Sequence, residues 1–311
     1  MSFKFIDLFA GIGGFHLALK ELGGSCVFTS EHCKYAQKVY EDNFGITPHG
    51  DITKIAVETI PSHDISCAGF PCQAFSIAGK KKGFEDTRGT LIYEILRIAS
   101  YHQPKVLLLE NVPNLLKHNR GETFQIICEN LNKCGYDIFY KILNASDFEL
   151  AQSRKRLYII CFRKDLKIDK FEFPKALEKT VVLKDIIDEK VDDRYYRYRT
   201  DYVFLDKVIT NPRESCLAAK FRKAKQDQTV YSLDAVSSTL TTSHSPQVLV
   251  NNQVRYLTIK ECARLQGFPE DFIFNISNTR AIEKLGNAVA VNVVKQIYKA
   301  ILNVVDLKNP T

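Results

Sequence analysis

Short apolar runs alternate with stretches of helical periodicity through the first half of the chain. Runs of strand length occupy Phe3 to Leu8, Cys26 to Ser30, Ile65 to Ala68, Val106 to Leu109 and Leu157 to Phe162. Val106-Leu107-Leu108-Leu109 lacks polar alternation, as a parallel strand does when helices cover both faces of its sheet. The intervening stretches are long enough for crossover helices. The pattern therefore predicts an α/β fold with a doubly wound, mostly parallel, Rossmann-like sheet. Phe15, Leu17, Ala18, Leu19 and Leu22 approach helical spacing and Gly23-Gly24 closes the segment, which predicts a helix opening just after the glycines at 11, 13 and 14. From Thr258 the pattern is helical again, and Gly286 to Val305 reads as a loop entering a last amphipathic helix, with Asn287 placed to cap it or reach a ligand.

Composition narrows the class. The 311 residues are 45% hydrophobic and 25% charged, enough for one large domain or about two. No apolar run approaches the roughly 20 residues needed to cross a bilayer. Asp7 interrupts the only place for a signal peptide, so a cytoplasmic protein is expected. Nine cysteines are odd in number and scattered, without a CxxC pair or zinc spacing, which argues for reduced thiols and against a bound metal. The net charge of +7 is concentrated after Pro174: Arg194 to Lys225 holds nine Lys/Arg against three acidic residues. Such a run is often only a solvated face, but interleaved Tyr195, Tyr196, Tyr198 and Tyr202 favour a nucleic-acid partner.

Several segments could carry chemistry. Phe9-Ala10-Gly11-Ile12-Gly13-Gly14 joins the first strand to a helix, where backbone N–H groups can approach a ligand closely. A dinucleotide fingerprint would need glycine where this chain has His16, so the match to a nicotinamide site is imperfect. Glu31, at the end of the second strand, is placed to accept ribose hydroxyls, and Asp51, before Ile52, to contact an adenine amino group. Gly69-Phe70-Pro71-Cys72-Gln73-Ala74-Phe75-Ser76 follows a strand, and nearby Lys80, Lys81, Lys82 and Arg88 favour a Cys72 thiolate. Cys72 is thus either a nucleophile or a small buried hydrophobe. Glu110 ends the fourth run before Asn111-Val112, where burial would raise its pKa and let it donate a hydrogen bond or proton; a helix-capping role is the alternative. Arg154 and Arg156, two apart before the fifth run, suit phosphate or a pyrimidine carbonyl, or else are a solvated start to the strand.

Together and in order, these segments resemble the C5-cytosine DNA methyltransferases of bacterial restriction and modification systems, in particular the small HhaI-type enzymes, over most of the chain outside about 184 to 250. Asp7 to Phe15 resembles the family's S-adenosylmethionine loop, and Gly69 to Ser76 its Pro-Cys-Gln nucleophile loop. Glu110-Asn111-Val112 resembles the Glu-Asn-Val segment, Gln152 to Arg156 the Gln-x-Arg-x-Arg segment, and Tyr256 to Phe268 with Gly286 to Val291 the hinge and last motif. Two departures stand out: His32 replaces a tryptophan of the close relative, and Ser237-Ser238 stands where Arg-Pro precedes the Thr-Leu of the ninth motif.

The resemblance implies Cys72, Glu110, Arg154 and Arg156 as catalytic residues. It implies Phe9, Gly11, Ile12, Gly13, Gly14, Glu31, His32, Asp51, Ile52, Pro71, Leu91, Asn287 and Val289 as cofactor contacts, and Gln73, Ser76, Arg88 and Asn111 as contacts to DNA or the target base. It further implies a catalytic domain over 1–183 and 286–311, a target-recognition domain over 184–256 and a hinge over 257–285. The expected enzyme is a monomer in the bacterial cytoplasm. It would bind double-stranded DNA, flip a cytosine out, methylate its C5 from S-adenosylmethionine through a Cys72 adduct, leave S-adenosylhomocysteine, and act beside a restriction endonuclease. A tRNA methyltransferase on the same scaffold is disfavoured because Cys161-Phe162 is followed by Arg163 rather than threonine. A nicotinamide oxidoreductase is disfavoured by His16, and a non-catalytic DNA-binding module by the joint presence of Cys72 and Glu110.

Overall fold

The computed structural model describes residues 3–70, 91–197, 202–205, 208–221 and 229–307. Six strands form its first sheet: β1 (Lys4–Leu8), β2 (Ser25–Ser30), β3 (Ile65–Gly69), β4 (Val106–Asn111), β5 (Tyr136–Asn144) and β6 (Lys155–Arg163). Their spatial order is β2-β1-β3-β4-β6-β5. The β1–β2, β1–β3 and β3–β4 pairings are parallel, and Gly69 stands in register with Glu110. The five apolar runs each lie in one of these strands. Two features differ from a simple βα repetition. β6 runs antiparallel to β4, and β5, which no apolar run announces, pairs antiparallel with β6 at the sheet's edge. An edge strand with Tyr140 and Ile142 exposed has little reason to be continuously apolar.

Alternation along the strands feeds two cores. Phe5, Val106, Leu108, Tyr158 and Ile160 join one hydrophobic cluster; Ile6, Leu8, Leu107, Leu109 and Ile159 join the other. The first is covered by α1 (Gly14–Lys20), α2 (Lys34–Phe44) and a C-terminal helix over Val291–Leu302; the second by α3 (Leu91–His102) and α4 (Glu122–Lys133). That is the doubly wound arrangement. The C-terminal helix buries Val291, Val293, Val294, Ile297, Tyr298 and Ile301. At roughly 1.5–3 kcal/mol for each fully buried aliphatic side chain, this face suffices to return the end of the chain to the first sheet.

A second sheet spans residues 196–256. It contains β7 (Tyr196–Arg197), β8 (Tyr202–Phe204), β9 (Leu217–Phe221), β10 (Thr229–Tyr231), β11 (Gln247–Val250) and β12 (Gln253–Tyr256), in the order β7-β12-β11-β10-β9-β8. Ala219, Val230 and Val254 make a small core on one face, whereas Tyr231 and Val248 point into the large cluster of the first sheet. Period-two alternation thus anchors the small sheet by its back.

After the second sheet come α5 (Ile259–Gln266) and α6 (Asn278–Asn287), followed by α7, the C-terminal helix already described. Thr258 and Glu261 form a reciprocal capping box at the start of α5. The sequence expectation of a loop at Gly286 is corrected here: Gly286 and Asn287 end α6, only residues 288–290 link to α7, and Ala290 rather than Asn287 occupies the cap position of α7. Gly286 is a glycine for closeness, not for a turn. A Cβ there would stand 2.5 Å from the Thr241 carbonyl oxygen.

Candidate active site

The carboxyl ends of β1 to β4 converge on one edge of the first sheet, where open α/β sheets bind ligands. After β1 the chain turns sharply, with positive φ at Phe9 (55°), Gly11 (55°) and Gly13 (86°). A Cβ on Gly13 would run into the Phe44 ring, so this glycine is a packing requirement, whereas Gly11 faces open space. Glu31 lies across the turn. Its two oxygens accept Gly11 N–H at 2.9 Å and Cys33 N–H at 2.7 Å, which fixes the carboxylate against the loop. His32 is 81% exposed beside it, with Nδ1 3.4 Å from Glu31 Oε1. Asp51 accepts Thr53 N–H and hydroxyl, and these bonds hold its pKa below the usual carboxylate range. Ile52 is buried behind it. Ile12 and Gly14 are buried at the back of the turn, and Val289 closes that side: a Cβ on Gly14 would meet Val289 Cγ2 at 2.6 Å. Leu91 opens α3 half-buried, while Asn287 is exposed at the end of α6.

Beneath this loop is a buried polar cluster that sequence reasoning missed. Asp7 is fully buried, and neither of its oxygens has a hydrogen bond of normal geometry among the described residues. Burial pushes its pKa well above the usual range, opposed in part by the His16 backbone N–H, and the charge of Glu31 adds to the rise. His16 Nδ1 is 2.6 Å from the Tyr40 hydroxyl, its ring stacks on Phe44 at 4.0 Å, and burial followed by Lys20 lowers its pKa to about 4. Burial thus disfavours the charged form of both Asp7 and His16. One signal was available: Asp7 is the lone acidic residue inside an apolar strand run, set between Ile6 and Leu8.

The second focus is Glu110, 8% exposed at the end of β4. Arg156 Nε lies 3.2 Å from its Oε1. Burial raises the pKa of Glu110, and Arg156 and then Arg154 oppose that rise. The other oxygen faces Gly69 of the neighbouring strand, 3.5 Å from where a Cβ would stand. A Cβ there would stand in ordinary van der Waals contact with the carboxyl. Asn111, expected to touch DNA, is instead buried, with its amide donating to the Phe70 carbonyl at 2.9 Å and its Oδ1 accepting Val112 N–H at 2.8 Å. It anchors the base of the segment that continues to Cys72.

The two arginines also divide. Arg156 meets Glu110, but Arg154 is 2% exposed and donates to the carbonyls of Leu240, Gly286 and Ala288 at 3.2, 2.9 and 2.9 Å. The resemblance assigns both guanidinium groups to a nucleotide; in the structure the Nη groups of Arg154 are taken up by backbone carbonyls, while its Nε has no hydrogen-bond partner among the described residues. Pro71, Cys72, Gln73, Ser76 and Arg88 lie outside the described residues.

Comparison with known proteins decides the class. The profile of the C-5 cytosine-specific DNA methylases matches residues 3–303. The chain is 43% identical to the type II methyltransferase M.HhaI of Haemophilus parahaemolyticus, covering 94% of this chain and 92% of that one. It is 41% identical to M.DsaV of Dactylococcopsis salina, covering 98% and 87%. The chain belongs to the C-5 cytosine-specific DNA methylase family. Among solved structures, the Dnmt2 methyltransferase of S. pombe superposes with a TM-score of 0.74 over 97% of this chain and 98% of that one, at 21% identity, which speaks to the fold.

In this methylase the small sheet faces a further concavity. A cavity of about 440 Å³ is lined mostly by hydroxyl-bearing residues, among them Ser153, Thr229, Tyr231, Thr239 and Thr241, together with His244. Ser153 precedes β6 and the others belong to the second sheet and its loops, so the cavity lies where the two sheets meet. The eight described cysteines are free thiols, no His/Cys/Asp/Glu group among the described residues could hold a metal ion, and no described helix is long and apolar enough to cross a membrane.

Proposed function

We propose that this methylase transfers a methyl group from S-adenosylmethionine to carbon 5 of a cytosine within one short duplex sequence, through a transient bond between Cys72 and carbon 6. The observation that carries the reading is Glu110: a buried carboxyl with a raised pKa, at the carboxyl end of β4 and held by Arg156. Residues 71–76 follow directly on Phe70, whose carbonyl is tied to Asn111 beside it.

The glycine turn fits the cofactor. Gly11 leaves open room, Glu31 presents a fixed carboxylate that would accept ribose hydroxyls, and Asp51 and the exposed His32 ring would contact the adenine edge and face. When bound, S-adenosylmethionine supplies an electrophilic methyl group. The chain's own residues must make carbon 5 nucleophilic. The Cys72 thiolate adds to carbon 6 while Glu110, whose pKa burial raises, gives a proton to N3, so the electron pair displaced from the 5,6 double bond is not stranded as charge on the ring. Arg156 orients Glu110. After methylation, a base or water removes the carbon 5 proton, N3 returns its proton to Glu110 as the 5,6 double bond re-forms, and the Cys72 thiolate leaves. A cytosine stacked in a duplex hides carbon 6, so the base is flipped out at a cost of roughly a few kcal/mol.

In this reading residues 184–256 form the recognition domain, with its Lys/Arg excess on phosphates, and 257–285 the hinge to the catalytic domain. The protein acts as a monomer in the bacterial cytoplasm and protects host DNA from a cognate endonuclease.

The test is bisulfite sequencing of a mixed-sequence plasmid after incubation with S-adenosylmethionine and protein, beside Cys72→Ala. Protected cytosines in one recurring context, absent with Cys72→Ala, are expected. Absence of protection with the wild-type protein, together with methylation of tRNA, would overturn the DNA reading.

A further inference from the structure

The short segment Gln152-Ser153-Arg154 is bonded on several sides to chain far away in sequence. Gln152, fully buried, accepts Leu240 N–H at 2.7 Å and donates to the Leu265 carbonyl at 3.0 Å. Ser153 N–H donates to the Ser237 carbonyl at 2.8 Å, and the Thr239 hydroxyl donates to the Ser153 carbonyl at 2.9 Å. Arg154 adds its three bonds to Leu240, Gly286 and Ala288. Gln266 Nε2 closes the ring on the Leu285 carbonyl at 2.7 Å. Gly286 lets α6 touch the Thr241 backbone, which no side chain would allow. Three parts of the molecule meet in this node: the start of β6, the 237–242 crossover from the small sheet, and the α6–α7 link behind Val289.

An arginine is an expensive way to fasten such a junction. Among the described residues no carboxylate lies within ion-pair distance of Arg154, and a buried charge satisfied only by carbonyl dipoles costs more than an apolar plug of similar volume. What the arginine adds is a rigid planar fork that fixes three carbonyls at once, two residues before Arg156, which holds Glu110. On the other side, the same crossover carries Ser238, Thr239 and Thr241, which line the cavity between the sheets. One face of the 237–242 segment thus looks toward the small sheet's cavity, and the other is fixed to the start of β6, the strand that carries Arg156.

We propose that Arg154 is a positioning residue that locks the 237–242 crossover to the start of β6, so that seating of the small sheet on DNA and placement of the Arg156–Glu110 pair are one event. The inference rests on the reading of the protein as a DNA cytosine methylase. The rival role is a phosphate contact through Nε, which has no acceptor among the described residues.

Arg154→Lys keeps the charge and loses the fork. With the full chain and the duplex site mapped by bisulfite sequencing, three quantities separate the roles: the salt slope of DNA binding, the single-turnover methylation rate at saturating DNA and cofactor, and the ratio of that rate between the site and a one-base variant. Positioning predicts an unchanged salt slope and a rate lower by about 10- to 100-fold, as a misplacement near 1 Å produces. The site-to-variant ratio should shrink as well, because recognition no longer reports to Glu110. Gln152→Ala, uncharged and buried, should reproduce the loss of rate and carries the test if Arg154→Lys does not fold. A slope smaller by about 1 with the rate at saturation intact makes Arg154 a phosphate contact and overturns the proposal. Wild-type rates and ratios in both variants overturn it as well. Absence of methylation by the wild-type protein would instead sink the functional reading.

Discussion

Glu261→Gln should cost this methylase about 3–5 kcal/mol of stability. Glu261 and Arg255 are 0% and 1% exposed, and their bond is bidentate, Nη1 to Oε2 at 2.8 Å and Nη2 to Oε1 at 2.7 Å. The same carboxylate accepts Thr258 N–H at 2.7 Å and Asp188 N–H at 2.8 Å. It thus joins β12, the cap of α5 and the segment before the small sheet. Glutamine keeps the shape but turns one acceptor into a donor facing N–H groups and leaves the Arg255 charge uncompensated, the situation for which buried pairs lose roughly 3–5 kcal/mol. Against a total of about 5–15 kcal/mol this is large. Burial alone would raise the pKa of Glu261, but the bonds from Arg255, Thr258 and Asp188 outweigh it and hold the pKa below the ordinary value. A depressed carboxylate stabilises the fold above its unfolded pKa, and that stabilisation is lost as pH falls through the folded one. Urea unfolding at pH 7 should show the full deficit, which shrinks on acidification as the wild-type protein loses the same interaction. Replacing both residues by apolar ones of similar volume should recover most of the loss. A deficit under about 1 kcal/mol, or one constant from neutral to acid pH, would refute the argument.

Other consequences are equally open to measurement. Glu110→Gln should lower the single-turnover methylation rate by about 10²–10⁴-fold, the range of a lost general acid. Because burial raises the Glu110 pKa against Arg156 and Arg154, the wild-type rate should fall as pH rises through that raised value; Arg156→Gln should move this limb to higher pH, and an unmoved limb would count against the assignment. Glu31→Gln should weaken S-adenosylhomocysteine binding in calorimetry by roughly 10- to 100-fold, since charge-assisted bonds to Gly11 and Cys33 are worth about 1.5–3 kcal/mol. Gly14→Ala should destabilise by about 1–3 kcal/mol through overpacking on Val289, and the double variant with Val289→Ala should regain part of its melting temperature.

Legibility in the sequence followed burial. Strands covered on both faces wrote continuous apolar runs, and all five such runs lie in strands of the first sheet. The edge strand β5 and the short strands of the small sheet left no comparable mark, because many of their side chains are only partly buried or exposed. Motif residues with unusual chemistry, Glu110, Arg156, Glu31 and the glycines, could be singled out from type and spacing alone. Their partners could not. That Asn111 would turn inward to Phe70, or Arg154 to three carbonyls, depends on segments more than 40 and 80 residues away, which no local pattern encodes. Gly286 misled for the same reason: a glycine reads as a loop, and only the Thr241 backbone against it explains its place in a helix.

The reversed strand matters most for how the site comes together. In a parallel sheet the carboxyl ends of strands share one edge, and the starts of strands lie at the other. Had β6 been parallel to β4, the Gln152 to Arg156 segment at its start would lie a strand's length from Glu110. Antiparallel pairing brings that start to the carboxyl end of β4, with Glu110 opposite Tyr158 and Asn111 opposite Leu157. Arg156, two residues before Tyr158, then falls on the same face as Glu110 at the diagonal cross-strand position, within reach of a long side chain. The observed 3.2 Å ion pair follows from that register. A one-residue slip would turn both arginines to the opposite face, toward the α3–α4 core, and leave Glu110 buried without a counter-charge. Register along β4 and β6, rather than the presence of the two arginines alone, is therefore what sets a guanidinium beside the carboxyl.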